Sequence, residues 1–140
     1  MTYRAILLNP VLSFALLAAA GLPQDSTAIL GVWQAQMDDL PFVTLTITDE
    51  GGKLAGAILF FLIRRDEGKP PSSSPGIPEP LLNPKLDGKN LTFQVSHRRA
   101  HPGTQSDPPV SFRFALTGPA EGNLIQEGGE PESIKMTREK

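Results

Sequence analysis

Cysteine is absent from the 140 residues. That excludes disulfides, thiol nucleophiles, cysteine-ligated metals and a lipid-modified leader. An exported domain built this way stands on apolar burial alone. Tyrosine and tryptophan occur once each, as Tyr3 and Trp33. Neither sign of charge dominates: 13 basic residues face 15 acidic ones. With no long basic stripe, the composition gives no reason to expect nucleic acid as a partner. Also missing are a Gly-x-Ser-x-Gly elbow, a phosphate loop and any carboxylate set with a partner base. Ser72, Ser73 and Ser74 lie among prolines with nothing to activate them. His97 and His101 are four residues apart but straddle a strand end and a loop, and no third ligand accompanies them. The chain is expected to be no enzyme and to carry neither metal nor cofactor.

The longest uncharged run is N-terminal. Arg4 precedes an apolar stretch, Ala5 to Ala20, which ends in three alanines. A positive start, a short apolar body and small residues at its end read as a secretory signal peptide, residues 1–20. A membrane anchor is the alternative, but a span needs about 20 apolar residues and Pro10 sits early in this run. The expected location is secreted or periplasmic, with no membrane span after leader cleavage. Losing Arg4 leaves 12 basic against 15 acidic residues. Residues 21–28 form a polar N-terminal tail, and 29–140 a single domain, since about 120 residues suffice for one core but not two.

From Gly31 onward the hydrophobic pattern has period two, the signature of half-buried strands. Trp33, Ala35 and Met37 share one face of Gly31–Met37, and Asp38 to Pro41 turns. Val43, Leu45 and Ile47 oppose Thr44, Thr46 and Thr48 in Phe42–Asp49, the threonines suiting a solvated sheet face because they are β-branched yet polar. Glu50 to Lys53 is a hairpin turn. Leu54–Arg65 is apolar on both sides: Ile58, Phe60 and Leu62 on one, Leu59, Phe61 and Ile63 on the other. Its flanking glycines favour a strand over a helix. Prolines 70, 71, 75, 78 and 80 make residues 66–80 an exposed loop, because a sheet interior does not accept that density. Four further strands follow a short one at Leu81–Leu86: Asn90–Arg98, Val110–Thr117, Asn123–Glu127 and Glu132–Arg138.

Eight strands joined almost entirely by hairpins make an antiparallel meander. The fold class is therefore all-β, and the economical closure is an eight-stranded up-and-down barrel; an open two-layer sandwich is the alternative. Alternate connections of a meander lie at opposite ends. The tight turns at 49–53, 87–89 and 118–122 mark a trim end, whereas 38–41, 64–80, 97–109 and 128–131 mark a looped end. Strand one starts and strand eight stops at the trim end. Trp33 and Arg138 are thus expected to meet there as a structural closure, the guanidinium over the indole, in a contact of roughly 0.5–2 kcal/mol.

Gly31-x-Trp33 opening the first strand and Arg138 closing the last resemble the calycin superfamily of lipocalin, avidin and fatty-acid-binding barrels. Gly52-Lys53-Leu54-Ala55-Gly56 is similar to the second hairpin of avidin-type chains. The resemblance spans about residues 29–138 as architecture and also extends to small secreted bacterial domains with the same Gly-x-Trp start. It implies a ligand-binding barrel but names no ligand. No polar set reproduces an avidin biotin site, and the internal arginine–tyrosine set of fatty-acid-binding proteins is missing.

An eight-stranded barrel is wide enough to be filled by side chains or to hold one small molecule. Both readings stand at this stage. In the first, the chain is a non-catalytic structural or protein-interaction module. In the second, it binds an apolar or amphiphilic molecule entering from the looped end. The ligand-lining candidates are Trp33, Met37, Phe60, Phe93, Phe112 and Phe114, with Arg64 and Arg98 at the rim for an anionic group. Asp38, Asp39, Asp66 and Glu67 fall at the same end, so a self-neutralised rim is the competing reading. The outward row Leu59, Phe61 and Ile63 is expected to be covered by the tail or the proline-rich loop, or to form a homo-oligomer interface.

Overall fold

The computed structural model describes residues 27–96, 108–128 and 132–140. The expected leader, the expected tail before Thr27, and His97, Arg98, Arg99 and His101 lie outside the described residues. Among these there are ten antiparallel strands and no helix: β1 (Gly31–Met37), β2 (Leu40–Glu50), β3 (Lys53–Arg64), β4 (Ser72–Pro75), β5 (Glu79–Pro80), β6 (Leu82–Asp87), β7 (Asn90–Val95), β8 (Val110–Gly118), β9 (Glu121–Glu127) and β10 (Ser133–Arg138). They form one up-and-down sheet in the order β4-β3-β2-β1-β10-β9-β8-β7-β6, with β5 also on β3, curled into a half-barrel.

Local chemistry accounts for the hairpins. Asp38 and Asp39 sit at φ 53° and 63°, both left-handed, as a two-residue turn matched to strand twist requires. At the next turn the Gly52 N–H donates to the Asp49 carboxylate at 2.7 Å. Side-chain alternation does the rest: Val43, Leu45 and Ile47 are buried, and Thr44, Thr46 and Thr48 turn to the other face. Gly56 lets β3 approach β2 closely, because a Cβ there would lie 1.9 Å from the Thr46 carbonyl oxygen.

Residues 66–80, expected to be free of sheet, are not. Ser72–Pro75 pairs with the end of β3, Phe61 opposite Pro75 and Arg64 opposite Ser72. Glu79 and Pro80 then pair with Ile58 and Ala57. Prolines are tolerated because the N–H groups that bond β3 come from the residues after them. Gly76 N–H reaches Phe60 O at 2.9 Å, and Leu81 N–H reaches Gly56 O at 3.0 Å. One residue past Leu81 the chain changes neighbours, and Leu82 pairs with Gln94 of β7. The expected single strand Leu81–Leu86 is thus β6 preceded by two short pieces on β3, which raises the strand count from eight to ten.

The core lies inside the curl, Val43, Phe93, Val95 and Phe112 toward the looped end and the larger group toward the trim end. Trp33, Leu45, Ile58, Leu91, Phe114, Leu124 and Met136 are fully buried there. Trp33 and Phe114 meet edge to face, ring centroids 4.9 Å apart at 62°. Two residues expected inside are not: Met37 is 38% exposed and Leu62 58%. A register shift between Ala35 and Gln36 puts Met37 on the closing pair of its hairpin, opposite Leu40. Leu62 lies beyond Val43–Phe60, the last β2–β3 pair, where β2 no longer flanks it.

Candidate functional site

The two ends of the curl differ in chemistry. At the trim end β1 and β10 run side by side, with Trp33 opposite Arg138. The Arg138 guanidinium lies 4.6 Å from the indole centroid. Its Nη1 donates to Leu30 O at 2.9 Å and its Nη2 to Ala28 O, while Trp33 Nε1 donates to Ile29 O at 2.9 Å. Three consecutive carbonyls are therefore held by two core-facing side chains. Gly31, at φ 129°, makes the bend that turns this segment into β1. Arg138→Met keeps an apolar stem but removes the charge and two donors. We expect a stability loss of about 2 kcal/mol by urea denaturation.

At the looped end three phenylalanines form a short stack. Phe93 and Phe112 lie near parallel, 5.7 Å apart at 17°, and Phe60 follows 5.9 Å from Phe112 at 35°. Beside them opens a cavity of about 370 Å³, lined by Phe60, Phe112, Val95 and Val110, with Glu79, Ser96 and Gln126 at its polar margin. Register explains the membership. Glu79 opposes Ile58 and Gln126 opposes Phe112, so both share the inward face. Sequence alone singles out neither. Glu79 lies among prolines, where no alternation is legible; Gln126 follows Gly122 and Leu124 at spacing two, a signal that was present.

The residues singled out by sequence fall in three groups. Phe60 and Phe112 line the cavity, and Phe93 stacks behind Phe112. Trp33 and Phe114 belong to the packed trim end. Met37 and Arg64 are exposed and do not line the cavity, and Arg98 lies outside the described residues. Arg64 sits opposite Ser72, while its neighbour Arg65 makes an exposed ion pair with Asp38. Leu59, Phe61 and Ile63 are half-buried on the outer side of β3. β4 runs alongside Phe61 and Ile63, and the Ser73 hydroxyl donates to Pro41 O at 2.7 Å, tying β4 back to β2. Among the described residues no three His, Cys, Asp or Glu side chains are grouped to hold a metal ion.

No protein-family model matches the chain, and no curated protein or solved structure matches it either.

Proposed function

We propose that the chain is an exported, calycin-like barrel that binds one small apolar or amphiphilic molecule at its looped end without transforming it. In this reading β4, β5 and β6 together serve as the fourth of eight strand positions. The run from Glu79 to Asp87 touches β3 at its start and β7 along its length, so it joins the two margins of the sheet. The observation that carries the binding function is the aromatic wall of the looped-end cavity, where the Phe60 and Phe112 rings stand 5.9 Å apart beside Val95 and Val110. Behind that wall Phe93 and the rest of the buried cluster are packed, and in front of it lies an opening of about 370 Å³. That volume lies within the ordinary range of small-molecule sites, and stacked rings beside a few polar groups are their usual lining.

A fluorescence titration with N-phenyl-1-naphthylamine tests this. The neutral aromatic probe is expected to bind saturably and brighten on entering the cavity. Val110→Trp, which fills the cavity from its wall, is expected to weaken binding at least about tenfold, one good aromatic contact's worth. No saturable enhancement, or equal affinity in the filled variant, rejects the reading.

A further inference from the structure

A second cavity, of about 320 Å³, lies at the opposite, trim end. Ile29, Leu86, Leu116 and Pro119 form its walls, and Lys89 stands at its margin. The walls are tied in place by hydrogen bonds. Ala28, Ile29 and Leu30 are held through their carbonyls by Arg138 and Trp33. Across the cavity, Leu116 N–H bonds Lys89 O at 3.0 Å, fixing the β6–β7 turn against β8. A site already in its bound shape spends little affinity on ordering. The Lys89 side chain is exposed and makes no ion pair among the described residues, leaving its charge available to an anion at the cavity mouth.

We propose that this cavity is a separate binding site for a monoanionic amphiphile, a medium-chain carboxylate whose tail lies against Leu86 and Leu116 and whose head meets Lys89. Apolar walls with one cation at the entrance suit a short chain with a single negative terminus. Gly118 supplies a clean means of blocking it. It lines the cavity, its φ is not left-handed, and a Cβ added there meets nothing within 4 Å. Gly118→Leu therefore adds bulk at the cavity lining without backbone strain.

The experiment is a methyl-detected NMR titration of the intact protein with decanoate below its micellar concentration. The Ile29, Leu86 and Leu116 methyls are expected to shift saturably. Lys89→Gln is expected to weaken binding severalfold, Gly118→Leu at least tenfold, and octanoate to bind about fourfold more weakly per methylene lost. Unshifted trim-end methyls, or unchanged affinity in Gly118→Leu, overturn the proposal. So do contacts from residues before Thr27 to Leu116 that decanoate does not displace, because the chain itself is then the occupant. Val95 and Val110 methyls report the looped end separately, and Gly118→Leu is expected to keep its naphthylamine affinity, so failure at one end is read independently of the other.

Discussion

Trp33→Ala is expected to remove about 3–5 kcal/mol of stability, the largest loss of any single side chain here. The indole is wholly buried, packs edge to face on Phe114 and carries the Arg138 guanidinium over its ring. Truncation opens a cavity between two rigid strands that cannot collapse, and it strips the Ile29 carbonyl of its donor. Because the substitution removes the only tryptophan, urea unfolding is best followed by far-ultraviolet circular dichroism. A midpoint lowered by about 2 M is the expected result at an ordinary urea dependence of about 2 kcal/mol per molar. A loss below about 1 kcal/mol would mean that the indole is not part of a packed interior. Trp33→Phe, which keeps a ring against Phe114, is expected to lose less than half as much.

Gly56→Ala is expected to cost about 3 kcal/mol, although it adds one methyl group. The added Cβ would fall 1.9 Å from Thr46 O and 3.0 Å from Thr46 C, and both are backbone atoms that cannot rotate away. The φ of 157° adds strain that an L residue rarely accepts. Relief requires β2 and β3 to separate where Ile47 opposes Gly56, and the Gly56 carbonyl oxygen accepts from the Leu81 N–H on the other side. Amide exchange would locate the damage: protection is expected to fall at Ile47, Ala57 and Leu81 before it falls in β8 and β9. Uniform protection with an unchanged melting temperature would refute the close approach.

These two positions show how unevenly the fold was legible. The antiparallel, all-β meander follows from stretches such as Phe42–Asp49, where alternation is unbroken and each turn carries its own glycine or aspartate signal. The pairing of the proline-rich stretch is not legible, because proline density reports which N–H groups are missing and says nothing of which are needed. Gly76 and Leu81 supply the needed ones. Parity alone places Met37 and Leu62 inside, and parity fails after a register shift and past the end of a partner strand. Ile29, Leu81 and Leu124 escaped notice for the converse reason: each is buried beside a bend, a proline or a glycine that interrupts the pattern. At the candidate site the phenylalanines were legible, since large apolar residues on an inward face have few other uses. Glu79 was not, because its position depends on a pairing between segments that no local pattern encodes.

The fastening of Arg138 to Ala28 and Leu30 spans more than a hundred positions of chain. Its consequence is kinetic. While the polypeptide is being made, the first ribbon has one neighbour from its own hairpin and one vacant margin, and that margin stays vacant until the final ribbon has been synthesised. Loop closure over such a distance is slow compared with hairpin formation. Throughout that interval the equivalent ribbon of another copy competes for the same margin. Refolding at high concentration is therefore expected to yield strand-exchanged dimers, which dilution suppresses.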